Sequence, residues 1–303
     1  MDSTALQMAT RNLNNAYEKF FRGEAKFPKF KKKKKSKNSF TVNYVNANIK
    51  VWRNKVQLPK LGWVKAKTHR PLEGRIISAT VSKSATGKYY LSTTVNKKIK
   101  PLPQAEEILG IDLGILHYAI SSDGQKIQGP RTLRRHLTTL KREQRKLSRR
   151  VKFSNNWYKQ KRRVARVHEK IHNIRNEFLH KLALRIVRDN QVVILEDLSV
   201  KNMIKNNKLA KDIADAAWGR FYQFLEYKAR WHGRIVHKIN KWFASSKTCY
   251  HCSYIKEELS LETRTWDCPN CEAKDIDRDI NAAKNILRKG LQELQELGVL
   301  KET

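Results

Sequence analysis

Val192-Val193-Ile194-Leu195-Glu196-Asp197-Leu198 is an apolar run of strand length that ends on a carboxylate. Unbroken apolar character suits a strand of a parallel sheet, covered on both faces. A second apolar run, Ile108 to Gly114, carries Asp112 inside Gly110-Ile111-Asp112-Leu113-Gly114-Ile115. A third acid, Asp279, lies in Asp277-Arg278-Asp279-Ile280-Asn281-Ala282-Ala283-Lys284-Asn285-Ile286, near the start of a final helix read over 277–298. Carboxylates in such places cost desolvation energy unless they pair or bind cations. Asp112 and Glu196 can meet if their strands are neighbours, and the final helix can dock Asp279 beside them.

Each acid also has a plainer explanation. Asp112 can be a turn residue at a strand edge, Glu196 or Asp197 can cap the segment after the strand, and Asp277 or Asp279 can place negative charge in a first helical turn. Three together, in this order, fit a site for two divalent ions. Such a site activates water and neutralises the leaving oxygen in phosphodiester hydrolysis, and Mg²⁺ prefers the oxygen ligands that carboxylates supply.

The charge balance points the same way. Among 303 residues, Lys plus Arg is 64 and Asp plus Glu is 28, a net charge of +36. Self-repulsion of that size gives nothing to fold stability, and a polyanionic partner is the expected compensation. A generally basic or ribosome-associated protein is the blander alternative. A membrane-surface role fits less well, because the basic residues are spread over several elements. No stretch of about 18 apolar residues occurs, so no membrane span is expected. The opening Met1-Asp2-Ser3-Thr4-Ala5-Leu6-Gln7 lacks the pattern of a secretory signal. A reducing, cytoplasmic setting is therefore expected.

Helical spacing of Leu6, Ala9, Leu13, Ala16, Tyr17 and Phe20 predicts a short amphipathic helix over 3–22. Phe27-Pro28-Lys29-Phe30 leads into a lysine run reaching Lys37, usually a solvated feature but able to lie along a phosphate backbone. Residues 39–98 alternate as strands punctuated by Gly62, Gly74 and Gly87, which suggests a small antiparallel barrel. Pro101 and Pro103 mark a linker. Residues 107–129 read as strand, strand, turn at Ser122-Asp123-Gly124, strand. Two long helices over 131–189, broken near Ser154-Asn155-Asn156, keep apolar stripes at Leu133, Leu137, Leu140, Leu147 and at Val164, Val167, Ile171, Ile174, Phe178. Their other faces are strongly cationic: Arg131 to Arg175 holds 17 Lys or Arg against Glu143 and Glu169. A helix over 209–231 and a strand over 234–239 come next.

Cys249-x-x-Cys252 and Cys268-x-x-Cys271 are separated by fifteen residues and use every cysteine of the chain. This spacing matches a four-cysteine zinc site, with a β-hairpin expected in the intervening segment. All four ligand positions come from protein, so the zinc is expected to be structural.

The order GIDLGI, VVILEDLSV, paired C-x-x-C knuckles and DRDINAAKNIL resembles the TnpB family, transposon-encoded RNA-guided DNA nucleases of bacterial and archaeal insertion sequences. The resemblance extends over Asn12-Leu13 through Phe21, the Phe-Pro-Lys-Phe-Lys stretch, Leu225-Glu226-Tyr227-Lys228-Ala229 and Ser245-Ser246-Lys247-Thr248-Cys249. It implies a mixed α/β fold: an RNase H-like (RuvC) nuclease domain with an inserted zinc ribbon, preceded by a partial β-barrel module and a short helical segment. The implied boundaries are 1–104 for the recognition helix and wedge-like barrel, 105–248 for the nuclease core, 249–271 for the ribbon and 272–303 for the last nuclease motif. By motif matching, Asp112, Glu196 and Asp279 take the three catalytic positions and hold two Mg²⁺ ions, while Cys249, Cys252, Cys268 and Cys271 hold Zn²⁺. Guide RNA and DNA are the implied partners. Family members start with a longer N-terminal region, so a truncated chain is expected. Two other activities share these residues: a non-cleaving nucleic-acid-binding product of the element, and a cut-and-paste transposase that uses the acids for strand transfer.

Overall fold

A computed structural model describes residues 2–32, 36, 38–260 and 262–300, so Lys33, Lys34, Lys35 and Lys37 of the lysine run lie outside the described residues. The chain forms two compact units, Met1–Lys98 with Arg150–Arg166, and Ile99–Arg149 with Val167–Thr303.

In the first unit, helix α1 (Ser3–Phe21) starts on Asp2, whose carboxylate accepts from the Thr4 amide at 3.0 Å. Strands β1 (Asn38–Asn43), β2 (Lys50–Trp52), β3 (Lys55–Leu58), β4 (Gly62–Lys65), β5 (Arg75–Lys83) and β6 (Tyr89–Asn96) come after it. They pair antiparallel in two sheets of three, ordered β1-β5-β6 and β2-β3-β4. One core serves both, built on Val42, Ile49, Val56, Leu58 and Ala79. Among the described residues no ladder joins the two sheets, so shared packing rather than hydrogen bonding holds them together.

The second unit is built on a five-stranded mixed sheet. Strands β7 (Ile108–Asp112), β8 (Ala119–Ser121) and β9 (Lys126–Ile127) form an antiparallel meander. Helices α2 (Thr132–Ser148) and α3 (Asn155–Asp189, its residues up to Arg166 belonging to the first unit) come next, then β10 (Val192–Glu196), α4 (Val200–Met203), α5 (Ala210–Ala216), α6 (Trp218–His232) and β11 (Ile235–Ile239). The sheet order is β11-β10-β7-β8-β9, with β10 parallel to both its neighbours. The apolar run of β10 is explained by cover on both faces. Val193 and Leu195 enter a core with Leu179, Ala183, Ile186, Phe221 and Leu225. Val192 and Ile194 enter the opposite core with Ile286 and Leu294.

Short strands β12 (Thr265–Trp266) and β13 (Ile276–Asp277) lead into the final helix α7 (Arg278–Glu296). Helix α7 lies close against the sheet because two positions lack side chains. A Cβ at Gly110 of β7 would strike the Ala283 carbonyl oxygen and lie 2.9 Å from the Leu287 amide nitrogen. A Cβ at Gly290 of α7 would overlap Ile194 Cγ2 on β10.

Two expectations are revised, and a third gains detail. The helix read over 209–231 breaks at Ala217, whose φ of 53° is left-handed, into α5 and α6. The break lets Ile213 and Trp218 bury in one core while Asp215 accepts a hydrogen bond from the Leu133 amide at 2.8 Å in the first turn of α2. The linker at Pro101 and Pro103 is pinned: buried Arg234 donates to the Pro103 carbonyl at 2.7 Å, and the Leu102 amide donates to the His232 carbonyl at 3.2 Å. The intervening segment of the cysteine knuckle contributes β12, whose partner β13 lies beyond Cys271, in place of the expected self-contained hairpin.

Overpacking a close helix–sheet contact costs about 1–3 kcal/mol. Gly290→Ala is expected to lose that much in chemical denaturation, and the double change with Ile194→Ala, which removes Cγ2, is expected to cost less than the sum of the two single changes; strict additivity would show that they do not share a contact.

Candidate active site

The sheet topology brings the first two acids together. Leu195 pairs with Ile111 in the parallel register of β10 and β7, so Glu196 and Asp112 end neighbouring strands at their carboxyl edge. In open α/β sheets that edge is where ligands bind. Asp279 stands in the first turn of α7, which packs on β7 and β10. Asp112, Glu196 and Asp279 line one cavity of about 840 Å³ within the second unit. All three are half-buried.

Their electrostatics reflect that crowding. Burial, then the charge of Asp279, pushes Asp112 up to about 6, against the opposing pull of the Leu113 amide and Arg278. Burial, then Asp112 and Asp197, pushes Glu196 up to about 7. Repulsion among carboxylates in a partly dry pocket disfavours their charged forms, and a bound cation relieves it. The donor set is all oxygen, which suits a hard divalent ion.

The neighbouring acids have other partners. Asp277 caps α7, accepting from the Asp279 and Ile280 amides at 3.0 Å each, and pairs with Lys126. Asp197 turns outward to Lys238 at 2.7 Å. The capping reading of an acid thus describes Asp277, two residues before the one that faces the cavity. Sequence reading missed the cations of the pocket. Arg264 Nη1 lies 3.7 Å from Asp279 Oδ2, and Arg131, Arg134, Arg175 and Arg278 line the same cavity. Each sits in a chain full of Lys and Arg, so no local signal separated these from the rest.

The four cysteines converge as their spacing predicts. Their sulfurs all lie within 4.8 Å of one another. Cys249 and Cys271 sulfurs are 3.7 Å apart and those of Cys252 and Cys268 are 3.5 Å apart. These separations are far too long for a disulfide bond. They approach the roughly 3.8 Å edge of a tetrahedron whose metal–sulfur distance is about 2.3 Å. The Asn270 side chain, foremost, lowers Cys252 to about 6, favouring thiolate, while burial raises Cys249. Each C-x-x-C sits between short antiparallel arms, Thr248 bridging Ile255 and Trp266 pairing with Ile276.

Helix α7 braces this cluster through two asparagines one turn apart. Asn281 donates to the Thr248 carbonyl at 2.7 Å and accepts from the Tyr250 amide at 2.9 Å. Asn285, fully buried, donates to the Ser245 carbonyl at 2.9 Å and to that of Thr248 at 2.6 Å. Their i,i+4 spacing was the available signal that both face one neighbour.

Among known proteins, two family models match the chain: residues 90–207 fit one described as "Probable transposase", and residues 218–286 fit one described as "Cas12f1-like, TNB domain". A candidate RNA-guided DNA endonuclease of Streptomyces pristinaespiralis is 41% identical over 96% of this chain and 72% of its own length. The Escherichia coli (strain K12) relative InsQ, named in the same way, is 32% identical over 95% of this chain and 74% of its own length. A solved Cas12f1, in complex with sgRNA and target DNA, shares the fold with a TM-score of 0.54 at 15% identity, covering 91% of this chain and 69% of that one. With two relatives above 30% identity matched over nearly its whole length, the chain belongs to the TnpB family.

Proposed function

We propose that the protein is an RNA-guided DNA endonuclease of an insertion sequence, which cuts DNA by metal-dependent phosphodiester hydrolysis at Asp112, Glu196 and Asp279. The observation that carries this reading is the meeting of three acids, 84 and 83 residues apart in sequence, in one arginine-rimmed cavity. Relatives named as RNA-guided DNA endonucleases support it. So does the sheet, an antiparallel meander whose first strand, β7, is central and followed by two parallel strands on its other side. That order is the one an RNase H-like (RuvC) domain requires. In this reading residues 1–104 form the recognition helix and wedge-like module, 105–248 and 272–303 the nuclease core, and 249–271 the zinc ribbon.

The three carboxylates would hold two Mg²⁺ ions. Bound there, such a pair lowers the pKa of an attacking water and neutralises the leaving oxygen. Asp112 and Glu196, fixed at strand ends, set the spacing of the oxygen ligands, and Asp279 closes the set from the helix. Arg264, beside Asp279, holds that carboxylate toward the cavity. Arg131, Arg134 and Arg175 bind phosphates of a single strand laid across the cavity mouth, which orients one phosphodiester for in-line attack. The basic faces of α2 and α3 hold a guide-RNA–DNA heteroduplex by its backbone. Zn²⁺ on Cys249, Cys252, Cys268 and Cys271 serves structure alone.

Asp112→Ala is expected to abolish Mg²⁺-dependent cleavage of a guide-matched plasmid and to leave nucleic-acid affinity within about twofold; retained cutting would refute the assignment.

The raised carboxyls give a pH signature. A carboxyl whose pKa rises on folding holds its proton more tightly in the folded chain. Stability of the metal-free protein therefore falls as pH rises from about 4 through the folded values near 6 and 7. Metal must displace those protons, so its affinity rises over the same interval. Calorimetric Mn²⁺ titration is expected to show tighter binding at pH 8 than at pH 6, with the trend weakened in Asp112→Asn; a flat profile in the unaltered protein counts against the clustered acids.

Stripping metal from the cysteine set is expected to free the 245–255 segment from α7. Hydrogen exchange at Cys249 and Tyr250 should then accelerate at least tenfold, as it should in Cys252→Ser. Unchanged protection after chelation would mean that the asparagine braces suffice without metal.

A further inference from the structure

The turn after β11 carries a side chain that the acid-lined cavity does not use. Trp242 is 82% exposed, although its neighbour Phe243 packs against the core of Val192, Ile239 and Ile286. The turn is fixed at both ends. Asn240 accepts from the Trp242 amide through its side chain at 3.0 Å and from the Phe243 amide through its carbonyl at 3.1 Å. The Ser245 amide donates to the Phe243 carbonyl at 2.9 Å, and the Ser245 carbonyl accepts from buried Asn285 at 2.9 Å. An indole held in water by an anchored turn adds no burial to the fold.

The turn lies at the carboxyl edge of the sheet, where the acids also stand. Ile239 pairs with Glu196 in the parallel register of β10 and β11, and Trp242 follows three residues later. Ser245 and Ser246, farther along the same turn, line the acid-lined cavity. Trp242 lines a second cleft of about 560 Å³ with Asp197, Lys238, Asn240, Lys241 and Glu293. Asp197 is paired with Lys238 at 2.7 Å, and Glu293 is hydrogen-bonded with His237 at 2.7 Å. Lys241 is exposed, its Nζ 5.1 Å from the indole centroid, and adds positive charge beside the ring. The sheet order β11-β10-β7-β8-β9 sets Asp112 and Glu196 between Arg131, which follows β9, and Trp242, which follows β11.

We propose that Trp242 stacks on an unpaired base of the DNA strand that is cut, beyond the phosphodiester held by the acids. The strand then runs along the carboxyl edge from the arginines, over the acids, to the indole, with Lys241 beside its phosphates. Paired bases in a duplex cover one another's faces, whereas a single strand can lay a base on an aromatic ring. Among the described residues, Trp242 is the one exposed apolar side chain of the cleft. That is too little for a protein partner, whose interface buries about 800 Å² on each side. DNA is the committed occupant because the indole and the acids share one edge of one sheet, and the strand that reaches the acids is the one to be cut. The inference rests on the nuclease reading and adds to it the contact that seats the strand.

The test uses the full chain with its co-purified RNA and matched DNA targets that each carry one abasic nucleotide in the cut strand. Single-turnover cleavage by the saturated complex should be about tenfold slower for Trp242→Ala, with target and Mn²⁺ affinities within about twofold and the unfolding temperature unchanged. Trp242→Phe should recover most of the rate. In the unaltered protein an abasic nucleotide at the stacked position should slow cleavage about tenfold, and in Trp242→Ala the same target should cost nothing further. An unaltered rate in Trp242→Ala overturns the proposal, and so does an abasic penalty that the substitution leaves in place at every position. A rate loss accompanied by weaker Mn²⁺ binding or a lower unfolding temperature also overturns it, by making Trp242 a structural residue. If the unaltered protein with its RNA cuts no matched DNA, the nuclease reading falls together with this one.

Discussion

The close seating of α7 on β7 and β10 is the constraint on which the site depends. Gly110 and Gly290 remove the two side chains that would hold helix and sheet apart. Ile286 and Leu294 then fill the core beneath, against Val192 and Ile194. Because α7 can approach so closely, a carboxylate in its first turn reaches the strand ends that carry the other two. Two of the acids oppose this arrangement: burial and neighbouring carboxylates make Asp112 and Glu196 resist ionisation. Apolar burial along the helix offsets that repulsion.

The cysteine cluster extends the same logic. A ribbon of short arms has little apolar surface of its own, here Cys249, Trp266, Cys268 and Ile276. The two asparagines of α7 supply part of what packing cannot, and the four convergent sulfurs are placed to supply the rest by holding a metal. Asn281 and Asn285 hang from the helix that positions Asp279, so the cysteine cluster and the acid-lined cavity share one support. The arginines that face the acids come from both: Arg264 precedes the second knuckle and Arg278 opens the helix.

What the sequence made legible was local. The apolar run of β10 announces a doubly covered strand, and an acid at its end is conspicuous because burial makes it costly. The C-x-x-C pairs declare their geometry in their spacing. What stayed hidden depended on partners far along the chain. Ala217 has no intrinsic reason to break a helix; it breaks because Ile213 and Trp218 must both reach one core. Asp215 reads as a surface acid until α2 presents the Leu133 amide. Gly290 looks like a weak spot in a helix until Ile194 is seen beneath it. Arg264 is one cation among 64, distinguished only by the carboxylate it meets.

The passage from Cys271 to Asp277 sets the phase of α7, because β13 pairs with β12 immediately before the helix begins. A residue inserted there has to be absorbed in the four residues between Cys271 and β13, or it shifts the pairing of β13 and displaces the third acid. Residues 257–260, by contrast, lie outside that pairing, so a change of length there leaves the helix in place. Length variation among natural versions of this protein should therefore concentrate on one side of the second knuckle and be nearly absent on the other.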